Sequence, residues 1–230
     1  MPRRRLSVVV AAAALTLAAL AGCQVEPGTA AYVGNTTYTK ADVDKMLAQA
    51  ERDSGKFDPK QEQGVRQQIP LYQVFVDIAA RFAKEKNYGS PTVDTASLAQ
   101  QSGLPESDPY LQLYAKVDAY RTLLLKNADA VQPTDAQVRE VYQGLVAKGF
   151  TKTPYEELAP QLVQIEGFAQ ALEVRRELTD AVRRYNVRLN PLYDPDFPLL
   201  SVQSQQSSDV PVVVVSLAGG NGAPAVRDHS

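Results

Sequence analysis

The sequence predicts a mainly α-helical domain with a small N-terminal β-hairpin. Two observations carry that expectation. Apolar residues recur three or four positions apart over several long stretches opened by helix N-terminal signatures, and near the start two β-prone triplets flank a turn dipeptide. With 230 residues, 44% of them hydrophobic and 22% charged, the chain is long enough for one core and too short for two ordinary enzyme domains.

Taken in order, Ala31-Tyr32-Val33 and Thr36-Thr37-Tyr38 are the β-prone triplets, separated by Gly34-Asn35, a dipeptide suited to a tight hairpin. Thr39-Lys40-Ala41-Asp42 then reads as a capping box, with Tyr38 and Val43 as a hydrophobic staple, and predicts a helix over 40–52. A loop through Ser54-Gly55 and Pro59 leads to a helical stretch over 60–87, where Pro70 predicts a kink or a break. Beyond it Leu71, Phe75, Ile78 and Phe82 make a continuous apolar face, the main candidate for core.

A short helix is expected over 94–101. Asp108-Pro109 caps the next one, whose Tyr110, Leu113, Tyr114, Val117, Tyr120 and Leu124 form an amphipathic face rich in tyrosine. Pro133-Thr134-Asp135-Ala136-Gln137 opens a helix that stops near Lys148-Gly149. From Thr153-Pro154-Tyr155-Glu156 to about Tyr185, apolar positions at helical spacing predict the longest helix, with Arg175, Arg176, Arg183 and Arg184 on a solvated face. Val187-Arg188-Leu189-Asn190-Pro191 ends it as a short extended segment. From Ser201 the composition turns to Ser, Gln, Gly and Val, and a mostly disordered tail is expected over 194–230. Val212 to Val215 is its exception, readable as an edge strand or as a sticky part of that tail.

The N-terminus carries an address. Arg3, Arg4 and Arg5 precede fifteen uncharged residues, an export signal too short to be a comfortable permanent span. Leu20-Ala21-Gly22-Cys23 follows and resembles the lipobox of bacterial lipoproteins. That resemblance implies a signal peptide over 1–22, a lipid on the Cys23 sulfur, and a short linker over 23–30. It places the protein on the extracytoplasmic face of a cell membrane.

Charge and counting exclude several function classes. The chain has 24 basic and 26 acidic residues; removal of Arg3, Arg4 and Arg5 leaves 21 against 26, so no cationic surface is left over for nucleic acid. An acidic domain is also expected to stand off an anionic bilayer. Cys23 and His229 are the sole cysteine and histidine, so Cys/His zinc sites and triads with a histidine base lack their parts. Three acid pairs, Asp42 with Asp44, Glu156 with Glu157, and Asp194 with Asp196, read as helix caps and turn chemistry. No metal, cofactor or catalytic residue is expected.

The element order resembles the chaperone domain of SurA and of PrsA- and PpiD-type foldases, akin to the substrate-binding region of trigger factor. The residues that carry it are Ala31 to Gly34 with Thr39 to Val43, Gln132 to Val138 with Tyr142, and Tyr185 to Tyr193. The resemblance spans 31–193 and implies a SurA-like helical domain in which the closing strand joins the first hairpin. In such foldases a parvulin prolyl-isomerase domain often sits where this chain has only 149–153, so isomerase activity is not implied. The implied function is a chaperone-like lipoprotein that binds unfolded or newly exported polypeptides without catalysis. Phe75, Phe82, Tyr114 and Val117, large side chains on two neighbouring helices, are the expected lining of a peptide groove. The alternative is an accessory envelope lipoprotein that binds one specific protein partner.

Overall fold

The computed structural model describes residues 26–55, 57–203 and 209–219. Strands β1 (Thr29–Val33) and β2 (Thr36–Thr39) pair antiparallel with Val33 opposite Thr36, and Gly34 takes the turn at a φ of 60°. Thr39 then starts helix α1 (Lys40–Ser54). Its hydroxyl accepts the Asp42 amide at 3.1 Å while the Asp42 carboxylate accepts the Thr39 amide at 3.2 Å, the reciprocal box that the sequence predicts.

Helix α2 (Pro59–Glu85) has Asp58 as its cap and runs on through Pro70 without a break. Loss of one backbone bond at Pro70 is outweighed by burial of Ile69, Leu71, Val74 and Phe75 around it. The helix stops where Asn87 adopts a φ of 58° and the Tyr88 amide reaches back to the Ala83 carbonyl, a Schellman closure. Helix α3 (Thr95–Ser102) buries no residue; α4 (Pro109–Asn127) lies along α2, and α5 (Asp135–Ala147) opens on the capping box of Thr134 and Gln137.

The long helix expected from Thr153 to Tyr185 is two helices, α6 (Tyr155–Val163) and α7 (Phe168–Arg184). Between them the chain makes tight turns from Gln161 to Phe168, and Gly167 sits at a φ of 78° that a helix interior does not accept. Apolar spacing carried across the break because both helices face the same core, so periodicity alone did not see it. Strand β3 (Val187–Leu189) then pairs antiparallel with β1, Ala31 opposite Leu189, giving the order β2-β1-β3. Asn190 extends the join by donating its amide to the Ala30 carbonyl at 2.8 Å and its side-chain nitrogen to the Thr29 carbonyl at 2.9 Å.

The expectation of a mostly disordered tail from 194 is corrected over the described part of it. Strands β4 (Asp196–Gln203) and β5 (Asp209–Ser216) form an antiparallel hairpin with Phe197 opposite Val215, and β5 lies against α7. Phe197, Leu199, Val213, Val215 and Leu217 are fully buried in the same core as the helices. Low charge here reflects strands shielded on one face, a composition that resembles a polar tail when no alternation is imposed. Val213, Val214 and Val215 therefore pair within the chain, with β4, and Val212 sits at a shift of register. The folded body extends past 193 to Gly219, whose amide donates to the Val187 carbonyl at 3.1 Å and ties the hairpin to the first sheet.

Candidate functional site

Three of the four residues expected to line a groove lie in the core. Phe75 and Phe82 on α2 and Val117 on α4 are buried, and Phe75 is covered by the ring of Phe197 at 3.9 Å between centroids. The apolar face of α2 is thus sealed by α4, α7 and the C-terminal hairpin. Tyr114 is half-buried and belongs to a tyrosine cluster, 6.1 Å from Tyr72, which itself stacks at 6.4 Å on Tyr110. Burial pushes the Tyr72 hydroxyl up to about 12, so that hydroxyl stays neutral at any physiological pH. These four positions make no cleft. Cys23 lies outside the described residues.

The surface points elsewhere. Among the described residues six large apolar side chains are exposed, and four of them, Val131, Val146, Phe150 and Val163, belong to the segment that carries α5 and α6. Val163 lines an open cleft of about 530 Å³ between those two helices, floored by Val138, Ala159 and Pro160 and walled by Pro133 and Tyr155. Its apolar lining outweighs its polar lining, the character expected where side chains of another molecule are to be received.

One wall is stiff. Tyr155, the first residue of α6, donates its hydroxyl to the Asp135 carboxylate at 2.6 Å, and its ring has the Arg139 guanidinium over it at 4.0 Å and meets the Tyr142 ring in a T-shaped pair at 5.3 Å. That hydroxyl, followed by the charge of Arg139, keeps the Asp135 carboxyl below its ordinary range, while the Asp135 bond raises the tyrosine. Arg139 also pairs with Asp135 at 3.3 Å, so those two charges are spent on each other, while Glu156 adds an exposed carboxylate to the lining. The cleft offers shape, apolar contact and one fixed aromatic edge. It assembles no nucleophile with a base, and no cluster of three metal-ligating side chains occurs among the described residues.

A second cleft, also about 530 Å³, lies between α3 and α4 and is lined by Ser97, Gln101, Ala115, Ala119, Thr122 and Lys126. Its lining is as polar as it is apolar, which suits apolar segments less well. The acid pairs take the roles the sequence suggests: Asp42 caps α1, Glu156 and Glu157 sit in the first turn of α6, and the Asp194 carboxylate accepts the Asp196 amide at 3.0 Å. Sequence reading missed the α5–α6 cleft because Val163 and Tyr155 were counted into one long helix. The available signal was Pro160 and Gly167 so close together, which shorten that helix and turn its first part outward.

No helix of the described residues is long and apolar enough to cross a membrane. In comparisons with protein-family models, curated proteins and solved structures, nothing matches this chain.

Proposed function

We propose that the chain is a membrane-anchored, extracytoplasmic chaperone-like lipoprotein that holds unfolded or newly exported polypeptides in the α5–α6 cleft without catalysis. The observation that carries this reading is the open, mostly apolar cleft between α5 and α6, whose lining includes the exposed Val163. Two features support it. The lipobox at Leu20 to Cys23 accounts for the single cysteine, and the pairing of β3 with β1 accords with the closing strand of the SurA-like arrangement.

The physics of the cleft suits a holder. An open, shallow apolar surface gains hydrophobic contact with many sequences at about 25 cal/mol per Å² and imposes few polar demands, so binding is broad and weak. The second reading is an accessory envelope lipoprotein with one protein partner. The rigid Tyr155–Asp135–Arg139 wall favours it, since a preorganised polar edge discriminates between partners.

Aggregation suppression separates the two. Residues 24–230 are tested against two unrelated unfolding proteins, alongside Val163→Asp and Tyr155→Ala. A holder suppresses aggregation of both at near-stoichiometric amounts, and Val163→Asp weakens this several-fold with unchanged circular dichroism. Suppression of neither, with one envelope protein recovered by crosslinking, selects the accessory reading; full suppression by both variants removes the cleft from the mechanism.

A further inference from the structure

The cleft between α5 and α6 has a charged end and an apolar end. Glu156, Ala159, Pro160 and Val163 all line it, and at spacings of three, one and three they form a single stripe along α6. The stripe opens on the exposed carboxylate of Glu156 and ends on the exposed side chain of Val163. Those two are seven positions apart, which a helix rise of about 1.5 Å per residue turns into roughly 10 Å. Between them stand only the methyl of Ala159 and the ring of Pro160, so a chain laid along the stripe meets no bulky side chain on the way.

The charge at the open end is not answered within the protein. Asp135 is taken by Arg139, and Glu140 of α5 by Arg175 of α7. Helix α6 contains no lysine or arginine, and neither Glu156 nor Glu157 takes part in an ion pair among the described residues. Both carboxylates suit the positive end of α6, but only Glu156 also lines the cleft. A partner's cation is the group this end can receive, and the chain's excess of 26 acidic over 24 basic residues draws such a partner in.

The spacing of the two ends selects a backbone conformation. A β-strand presents the same face every second residue, at about 6.6 and then 13 Å, and misses the interval. Polyproline II repeats its face every third residue at about 3.1 Å per residue, or roughly 9 Å, and meets it. That conformation leaves the backbone without internal hydrogen bonds and is a major conformer of unfolded chains.

We propose that the cleft receives polypeptide segments in the polyproline II conformation that carry a lysine or arginine three positions from a large apolar residue, the cation over Glu156 and the apolar side chain against Val163. This rests on the polypeptide-holding reading of the cleft and adds what the polypeptide must carry.

The test is a titration of isotope-labelled residues 24–230, which keep every described residue, followed by backbone amide shifts in nuclear magnetic resonance. The probes are twelve-residue peptides rich in proline and alanine, with one lysine and one leucine three positions apart in either order. Companion peptides replace the lysine by glutamine or glutamate, or set lysine and leucine two positions apart. The lysine peptide is expected to shift the amides of Ala159 and Val163 and to bind about two- to fivefold more tightly than its glutamine form, the reach of one exposed ion pair. The glutamate form binds more weakly still, high salt narrows the differences, and Glu156→Gln removes the advantage of lysine over glutamine. Equal binding of the lysine and glutamine peptides at these amides, or an advantage that survives Glu156→Gln, overturns the charge assignment and leaves the cleft as a holder of apolar segments. A two-position spacing that binds as well as three overturns the register. If no peptide moves any amide of the cleft, the proposal falls together with the holding reading.

Discussion

The rings of Phe75 and Phe197 lie face to face, 3.9 Å between centroids and 9° from parallel, although 122 positions separate them in the chain. This one contact joins the middle of α2 to the start of the C-terminal hairpin, and Tyr72 closes the cluster edge-on at 6.2 Å. It makes the hairpin a wall of the core.

Phe197→Ala is accordingly expected to cost about 3–5 kcal/mol, the range for removing a fully buried aromatic ring. Chemical denaturation followed by circular dichroism reads the loss. A cost under about 1 kcal/mol, the size of a surface change, would mean that the hairpin is only loosely applied.

Gly219→Ala tests the tie between the two sheets. A Cβ at 219 would stand 2.5 Å from the Val187 carbonyl oxygen and 3.2 Å from the Val182 side chain, and the first of these is backbone that cannot swing aside. The expected cost is about 1–3 kcal/mol, as for other overpacked sites. Hydrogen exchange localises it: the amides of β5 lose protection ahead of those of α2.

Asp108 predicts a rise in stability towards acid. Its carboxyl is fully buried, one oxygen accepts the Leu111 amide at 2.7 Å, and the other has no partner among the described residues. Burial first, then the neighbouring Asp53, raise its pKa, because two ionised carboxyls leave that second oxygen without a donor until one of them holds a proton. A folded-state pKa above the unfolded value of about 3.9 adds stability that is complete below that value and is lost as pH rises through the folded one. Asp108→Asn keeps the cap, removes the charge, and is expected to raise the thermal midpoint at pH 7 while flattening this acid-side rise. A lower midpoint at pH 7 would sink the argument.

Asp42 has the opposite sign. The Thr39 hydroxyl, then its amide, hold the Asp42 carboxyl below the ordinary range, so its contribution is present above the unfolded pKa and is lost as pH falls through the lowered folded value. Thr39→Ala is expected to cost about 1 kcal/mol near neutrality, the usual worth of an N-cap side chain. It should also reduce that acid loss, because the hydroxyl bond goes while the residue 39 amide still binds the Asp42 carboxylate. Urea titrations at pH 7 and at pH 3 measure both effects.

Much of this architecture was legible in the sequence, for reasons that particular residues make plain. Thr39, Asp108 and Thr134 announce helix starts because capping is local chemistry, decided within four residues. Gly167 and the β4–β5 hairpin were not legible: the first interrupts an apolar period that continues beyond it, and the second is stabilised by Phe75 and α7, far away in the chain. The groove residues failed for the same reason. Phe75 and Phe82 show that they are apolar and share a face, while what covers that face is written at Phe197 and Leu217. The open cleft escaped notice because exposure is a property of what does not arrive, and only the folded chain reveals it.

The pairing of Thr29 with Asn190, 161 positions apart, has a consequence for how the protein is made. Synthesis delivers β1 and β2 at once, but the second edge of β1 waits for β3, and the core beneath Phe75 waits longer, for Phe197 and then Leu217. Contacts of such long sequence separation form slowly. For most of its synthesis the nascent chain therefore carries an uncovered strand edge and an uncovered apolar helix face, so a chain interrupted anywhere before about residue 219 is left open and prone to aggregate. Arrival of the closing hairpin is the event that licenses the fold.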